Sequence, residues 1–143
     1  MDKQLNFMIV DDDEIFNYLI KSVIEKSERT NQVETFTSSV NALSWMHGRI
    51  DMGLPLPNIL LLDIRMPIMS GLDLLEKISK FPEKALNGFK VCMLTSSLNE
   101  RDKETSMAYP FVMDFVNKPF TREKFASLLE KFDVIEEATD GLL

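Results

Sequence analysis

The sequence predicts an α/β fold of the doubly wound kind, a five-stranded parallel sheet between two layers of helices, and three observations carry that reading. Strand-like and helix-like hydrophobic patterns alternate along the chain, the signature of parallel strands joined by helical crossovers. The strand-like runs, such as Phe7–Val10 and Ile59–Leu62, are almost wholly apolar, as strands covered on both faces must be. Polar residues capable of chemistry follow directly on the ends of these runs, which is where such sheets bind ligands. At 143 residues and 45% hydrophobic, the chain suits one domain with a single core, spanning 1–143 with its folded body at about 5–135.

The elements follow in order. Residues 6–10 form the first strand. In the helix after it, Ile15, Leu19 and Val23 run beside Phe16, Ile20 and Ile24 as two adjacent stripes at four-residue spacing, and both are expected to be buried. Val33–Phe36 is a short edge strand. Ser38 or Ser39 caps a second helix that runs to about His47, with Gly48 ending it. The Gly- and Pro-containing stretch 49–58 is a loop, and Ile59–Leu62 is the third strand. Ser70 and Asp73 bracket the next helix start as a capping box, with aspartate in place of the usual glutamate, ahead of Leu74, Leu75, Ile78 and Phe81 as its buried face. After a loop at 82–88, Lys90–Leu94 is the fourth strand. Residues 99–109 are helical but weakly amphipathic, with a charge at every position from Glu100 to Glu104. Residues 113–117 form the fifth strand, and Thr121 caps a final helix whose Phe125, Leu128, Leu129 and Phe132 repeat at helical spacing. The tail 136–143 shows no pattern and is expected to fray.

Composition narrows the function classes. Sixteen Lys and Arg against 23 Asp and Glu leave a net charge of −7, which argues against direct nucleic-acid binding, because phosphate contacts need a basic face. The single cysteine, Cys92, lies inside an apolar strand and reads as a buried small hydrophobe. One thiol permits no disulfide within the chain, and no apolar run reaches the roughly 18 residues that span a bilayer, so a cytoplasmic protein without a membrane partner is expected. His47 reads as a surface imidazole and the nine methionines as core filler.

The chemistry gathers at the strand ends. The first strand runs straight into Asp11-Asp12-Asp13-Glu14. Carboxylates crowded at the mouth of a buried sheet repel one another, and a divalent cation is the usual remedy. The third strand ends in Asp63, the fourth in Thr95, and the fifth in Lys118-Pro119. Carboxylate, carboxylate, hydroxyl and ammonium delivered to one edge make a phosphoryl-transfer site. Asp13 and Glu14 are better read as charges at a helix start, where the dipole favours them.

These residues resemble a known family closely. Asp11-Asp12, Asp63-Ile64-Arg65-Met66-Pro67 with Gly71, Thr95-Ser96 and Lys118-Pro119-Phe120, each motif at a strand end and in this order, resemble a response-regulator receiver domain of the stand-alone, CheY-like type that serves two-component phosphorelays. The resemblance covers about residues 5–135 and implies a flavodoxin-like (βα)5 sandwich with strand order 2-1-3-4-5. It implies that Asp63 accepts the phosphoryl group as an acyl phosphate, with Mg²⁺ or Mn²⁺ held by Asp11, Asp12, Asp63 and the backbone carbonyl of Arg65. Lys118 would pair with Asp63 at rest and with a phosphoryl oxygen afterwards, across a Lys118–Pro119 bond that is commonly cis in the family. Thr95 would donate its hydroxyl to the phosphoryl group, and Phe115 would be the aromatic switch that rotates inward as Thr95 moves. Arg65 and Ser97 occupy positions that tune the lifetime of the phosphorylated state.

The implied partners are a histidine kinase or histidine phosphotransfer protein as donor and a downstream protein as target. Whether the chain is monomeric or dimeric is left open. Catalysis would extend to the chain's own phosphoryl transfer and autodephosphorylation. The segment 107–112 departs from the family's small-residue turn, with Phe111 a candidate for exposure, and the loops at 48–58 and 82–89 exceed the family's minimum length. Two other readings stand beside this one. A haloacid-dehalogenase-type phosphatase or phosphotransferase also uses a strand-end aspartate, but wants a second aspartate two residues on, where this chain has Arg65. A receiver that binds partners without phosphorylation would not need the acids, threonine and lysine present here.

Overall fold

The computed structural model describes residues 3–141. Five strands, β1 (Leu5–Val10), β2 (Thr30–Phe36), β3 (Ile59–Asp63), β4 (Lys90–Thr95) and β5 (Val112–Asn117), form one parallel sheet in the order β2-β1-β3-β4-β5. Six helices join or follow them: α1 (Glu14–Glu25), α2 (Ser39–Asp51), α3 (Gly71–Ser79), α4 (Glu83–Leu86), α5 (Glu100–Met107) and α6 (Arg122–Gly141).

Alternating side chains along each strand supply two cores, one per face of the sheet. Phe7, Ile9, Leu61, Cys92 and Leu94 pack under α1 and α6 against Ile20, Ile24, Phe125, Leu128 and Phe132. Met8, Val10, Leu60, Leu62, Val91 and Met93 pack under α2 and α3 against Ala42, Met46, Leu74, Leu75 and Ile78. The register levels the C-terminal ends: Val10 lies opposite Leu62, Asp63 opposite Leu94, and Thr95 opposite Asn117. The chain winds outward from β1 to β2, then crosses back to β3 on the other side of β1. The winding therefore reverses between β1 and β3, where Asp11, Asp12 and Asp63 emerge.

Several expectations about the elements are borne out. Ser38 caps α2 through Asn41 N, Ser70 and Asp73 form the reciprocal capping box of α3, and Thr121 Oγ1 accepts from Lys124 N at 3.2 Å. Others need correction. Most of one expected stripe of α1 misses the sheet: Asn17, Ile20 and Ile24 are buried and Val23 packs half-buried on the same core, whereas Ile15 and Leu19 are 69% and 51% exposed. A helix lying on a sheet covers one face, and two stripes are wider than that face. Gly48 does not end α2. The helix runs on to Asp51, and Gly53, at φ 71°, takes the left-handed position past its end that glycine serves. The 82–88 stretch contains the short helix α4, and β2 begins three residues earlier than read. The tail does not fray at 136, because α6 continues through Glu136, Glu137 and Ala138, all good helix formers. Its last residues, 142 and 143, lie outside the described residues, as do residues 1 and 2 of the expected 1–143 domain. Phe111 is buried, packed between Phe89 and Tyr109 with ring centroids at 6.3 and 5.6 Å.

Candidate functional site

The site is assembled from three strand ends and the loop beyond a fourth. Asp11 leaves β1 with its backbone pinned on both sides: its N–H donates to the Phe36 carbonyl at 3.1 Å, and its own carbonyl accepts from Asn17 Nδ2 at 3.0 Å. The Asn17 amide also donates to the Phe36 carbonyl at 3.2 Å, so this one buried side chain ties the ends of β1 and β2 together. Held this way, the Asp11 carboxylate is buried. One oxygen accepts from Asp13 N at 2.9 Å and the other from Lys118 Nζ at 2.7 Å.

Asp63, the last residue of β3, is also buried and lies 3.2 Å from Lys118 Nζ. Asp12 is exposed beside them. Carboxylate oxygens of Asp11, Asp12 and Asp63 all lie within 4.8 Å of one another, a donor set of hard oxygens that fits a divalent cation of the Mg²⁺ type. Gly71 makes room for this arrangement. Its N–H donates to the Ile64 carbonyl at 2.7 Å, and a Cβ at this position would collide with the carbonyl oxygen of Asp63.

Lys118 is placed by the end of β5. Its backbone N–H donates to the Thr95 carbonyl at 2.7 Å, and the Lys118–Pro119 bond is cis. The ammonium lies 4.3 Å from the centroid of the Phe16 ring and contacts both acids, though it sits closer to Asp11 than to Asp63. Three carboxylates face one ammonium here, and Asp63 and Lys118 are both shifted toward their protonated forms. Burial pushes the Asp63 carboxyl up to about 6, the Asp11 charge pushes the same way, and Lys118 restrains the rise. Burial alone would lower Lys118, but its bond to Asp11 and the charges of both acids hold it above the usual lysine value.

The remaining residues implied by the resemblance are placed as follows. Thr95 is buried at the edge of the same hollow, with its hydroxyl donating to the Ser97 carbonyl at 2.8 Å and accepting from Ser97 N at 3.1 Å. Phe115 is already inside the core rather than waiting to rotate inward. Arg65 lies on the rim of the same hollow, largely exposed, and pairs with Asp102 of α5 at 3.1 Å. Asp13 caps α1, accepting from Ile15 N and Phe16 N, and Glu14 follows in the first turn. His47 is exposed, edge-on to Phe81, and Cys92 is fully buried with its thiol pushed above the usual range by that burial.

Sequence reading missed Asn17, Phe16 and Asp102. An asparagine set among apolar residues of a core-facing helix was the available signal for the first. The second was visible only as one of two apolar stripes, and the third as one charge in a charged run.

A family model described as the response regulator receiver domain matches residues 7–130. The chain belongs to the response regulator receiver domain family. It is 30% identical over 138 residues to the chemotaxis protein CheY of Pseudomonas aeruginosa, covering 96% of this chain and 100% of that protein. It is 31% identical over 119 residues to the cyclic di-GMP phosphodiesterase response regulator RpfG of Xanthomonas campestris. That match takes in 82% of this chain but 29% of the relative's length. Among solved structures, a two component response regulator from Cytophaga hutchinsonii superposes with a TM-score of 0.82 at 28% identity, covering 91% of this chain and 98% of that one. A CheY-like receiver domain protein from Methanospirillum hungatei gives 0.76 at 25% identity, covering 95% and 99%. The receiver family and the flavodoxin-like strand order implied by the strand-end motifs are thus borne out. Among the described residues, no helix is long and apolar enough to cross a membrane.

Proposed function

We propose that this receiver domain is a phosphorylated signalling switch whose acceptor is Asp63. The observation that carries the reading is the buried ammonium of Lys118, 2.7 Å from Asp11 and 3.2 Å from Asp63, with Asp12 completing three carboxylates at the point where the winding reverses. An Asp63 oxygen attacks the phosphorus of the donor. The bond from phosphorus to the donor's nitrogen or oxygen breaks, the leaving group keeps the electron pair, and Asp63 carries the acyl phosphate. Asp11, Asp12 and Asp63, with the Arg65 carbonyl, would hold Mg²⁺ or Mn²⁺. When bound, the ion supplies positive charge against which phosphoryl and carboxylate oxygens can approach. Lys118 supplies the second positive charge. Thr95 would exchange its bond to the Ser97 carbonyl for one to a phosphoryl oxygen, and Phe115, already inside, would hold the space beneath it.

The donor is a histidine kinase or histidine phosphotransfer protein, and the output is contact with another protein, by way of the loop and helix that follow Thr95. An acidic surface, at net charge −7, gives nucleic acid no basic face to bind. The chain acts as one receiver domain in the cytoplasm, where its donor's catalytic machinery and reduced thiols are found. The test is labelling by radioactive acetyl phosphate with Mg²⁺. The native chain is expected to take an acid-stable, base-labile label, and Asp63→Asn is expected to take none. Equal labelling of that variant overturns the assignment.

A further inference from the structure

Phe16 is an apolar residue at the mouth of a polar hollow. It lies half-buried in the first turn of α1 and lines the hollow with Asp11, Asp12, Asp63, Thr95 and Lys118. Among the described residues it belongs to neither of the two cores, so filling the interior is not what holds it there. Its neighbours in the chain fix its place instead. The Phe16 N–H donates to the Asp13 side chain at 3.4 Å, which sets the start of the helix. Asn17, the next residue, is buried and bonded to the carbonyls of Asp11 and Phe36, which sets the rotation of the helix against the strand ends.

What the ring meets is Lys118. The ammonium lies 4.3 Å from the ring centroid, on a side chain that is 7% exposed. An ammonium carries three N–H donors. Asp11 at 2.7 Å and Asp63 at 3.2 Å take two sides of it, and the negative face of the ring takes another. These contacts close a circuit through the two oxygens of Asp11. One oxygen accepts from Asp13 N at 2.9 Å, Asp13 accepts from Phe16 N, the Phe16 ring meets Lys118, and Lys118 donates to the other oxygen. Lys118 reaches this point from β5, beyond β4, on a flexible four-carbon stem. The position of its charge therefore depends on what receives the tip.

We propose that Phe16 is a positioning residue for Lys118: its ring face holds the ammonium on the Asp11–Asp63 side of the hollow and keeps water from it. The proposal rests on Asp63 being the phosphoryl acceptor. In transfer from acetyl phosphate, an Asp63 oxygen bonds to phosphorus, the bond from phosphorus to the acetate oxygen breaks, and acetate leaves with the electron pair. A cation already fixed beside the phosphoryl oxygens stabilises their charge without first having to be ordered. With an aliphatic side chain at position 16 the ammonium keeps its two carboxylates but loses this wall. Water then enters, and the stem samples other positions.

The experiment replaces Phe16 by Tyr, by Leu and, through site-specific incorporation, by phenylalanine bearing one, three or five fluorines. Fluorine draws charge from the ring face and nearly preserves the ring's shape, so the series separates attraction from packing. Two quantities are read: the rate of acetyl-phosphate labelling with Mg²⁺, and the NMR signal of the Lys118 ammonium in the metal-free chain, which a ring face shifts upfield. Phe16→Tyr should label at the native rate. Phe16→Leu should label about two- to fivefold more slowly, the range a cation–π contact supports, with its ammonium signal moved downfield. The fluorinated chains should slow in order of their fluorine count, and they decide the matter if Phe16→Leu fails to fold. A ring that only fills space would leave the fluorinated series level with the native chain, or slow Phe16→Tyr as much as Phe16→Leu. Either result, or an ammonium signal that Phe16→Leu leaves in place, overturns the positioning role while leaving Asp63 as acceptor. Absence of label on the native chain overturns acceptor and positioning role together.

Discussion

Asp63 carries a burden that its environment makes measurable. Its carboxyl is held up at about 6 by burial and by the Asp11 charge, against a usual value of 3.8. The folded chain therefore keeps a proton there that the unfolded chain has already lost. Between about pH 4 and 6 the folded state binds more protons than the unfolded, so stability falls as pH rises through this window, and the cost is complete above it. In metal-free solution Asp63→Asn should then be more stable than the native chain at pH 8 and match it near pH 4, as read by urea unfolding at the two pH values. The Asp63 carboxyl carbon should titrate near 6 in an NMR pH series. Ile68 shows the opposite case, strain with no burial. It lies five residues past Asp63 at φ 69° and is 95% exposed, although a β-branched residue at positive φ is an outlier. Asparagine tolerates that conformation, so Ile68→Asn should stabilise the fold by about 1 kcal/mol, seen as a higher urea midpoint at unchanged slope. The two kinds of residue differ in how readily sequence revealed them. Asp11, Asp63 and Lys118 were legible because strand ends announce themselves, but the Arg65–Asp102 pair joins residues 37 apart and leaves no local pattern.

At the scale of elements, the junction of β3 and α3 is the tightest point near the site. Gly71 opens α3 directly against the end of β3, where any Cβ would meet the Asp63 carbonyl oxygen and, at 3.0 Å, the Ile64 Cα. Both obstacles are backbone and cannot swing aside. Gly71→Ala should cost about 2 kcal/mol by the overpacking it forces, and should slow labelling because the strand end that yields carries Asp63, the proposed acceptor. Thermal unfolding and acetyl-phosphate labelling of the same preparation check both effects; a variant of native stability and native rate would show that this junction can relax. The elements themselves were legible wherever a buried face had one period. The Ser70–Asp73 box and the Phe125–Phe132 stripe needed no tertiary knowledge. Reading failed where tertiary structure chose between equal local options. Two stripes of α1 are equally apolar in sequence, and the sheet buries Ile20 and Ile24 of one together with Asn17, which belongs to neither stripe and whose amide bonds the ends of β1 and β2. Two glycines could end α2, and the later one is used.

For the whole molecule, the strand order decides what the site is. In the order β2-β1-β3-β4-β5 the first and third strands are neighbours, so acids 52 residues apart in sequence become adjacent, and β5 brings the one ammonium from the far side of β4. Alternation of strands and helices made this fold class legible, but the side-by-side placement of Asp11 and Asp63 follows only from the direction in which the chain winds. A fold that places three carboxylates within 4.8 Å at its centre stores repulsion that a cation can relieve. Mg²⁺ should therefore stabilise the protein as any ligand of the folded state does, by about 2.7 kcal/mol at a free concentration one hundred times its dissociation constant. Asp12 tests this best, since it is the exposed member of the three, and Asp12→Asn removes a charge without opening the core. That variant should equal or slightly exceed the native chain in metal-free stability, yet lose most of the rise in melting temperature that Mg²⁺ produces. A native-sized Mg²⁺ shift in Asp12→Asn would mean that the ion is held elsewhere, and that the acids are gathered at the winding reversal for Lys118 alone.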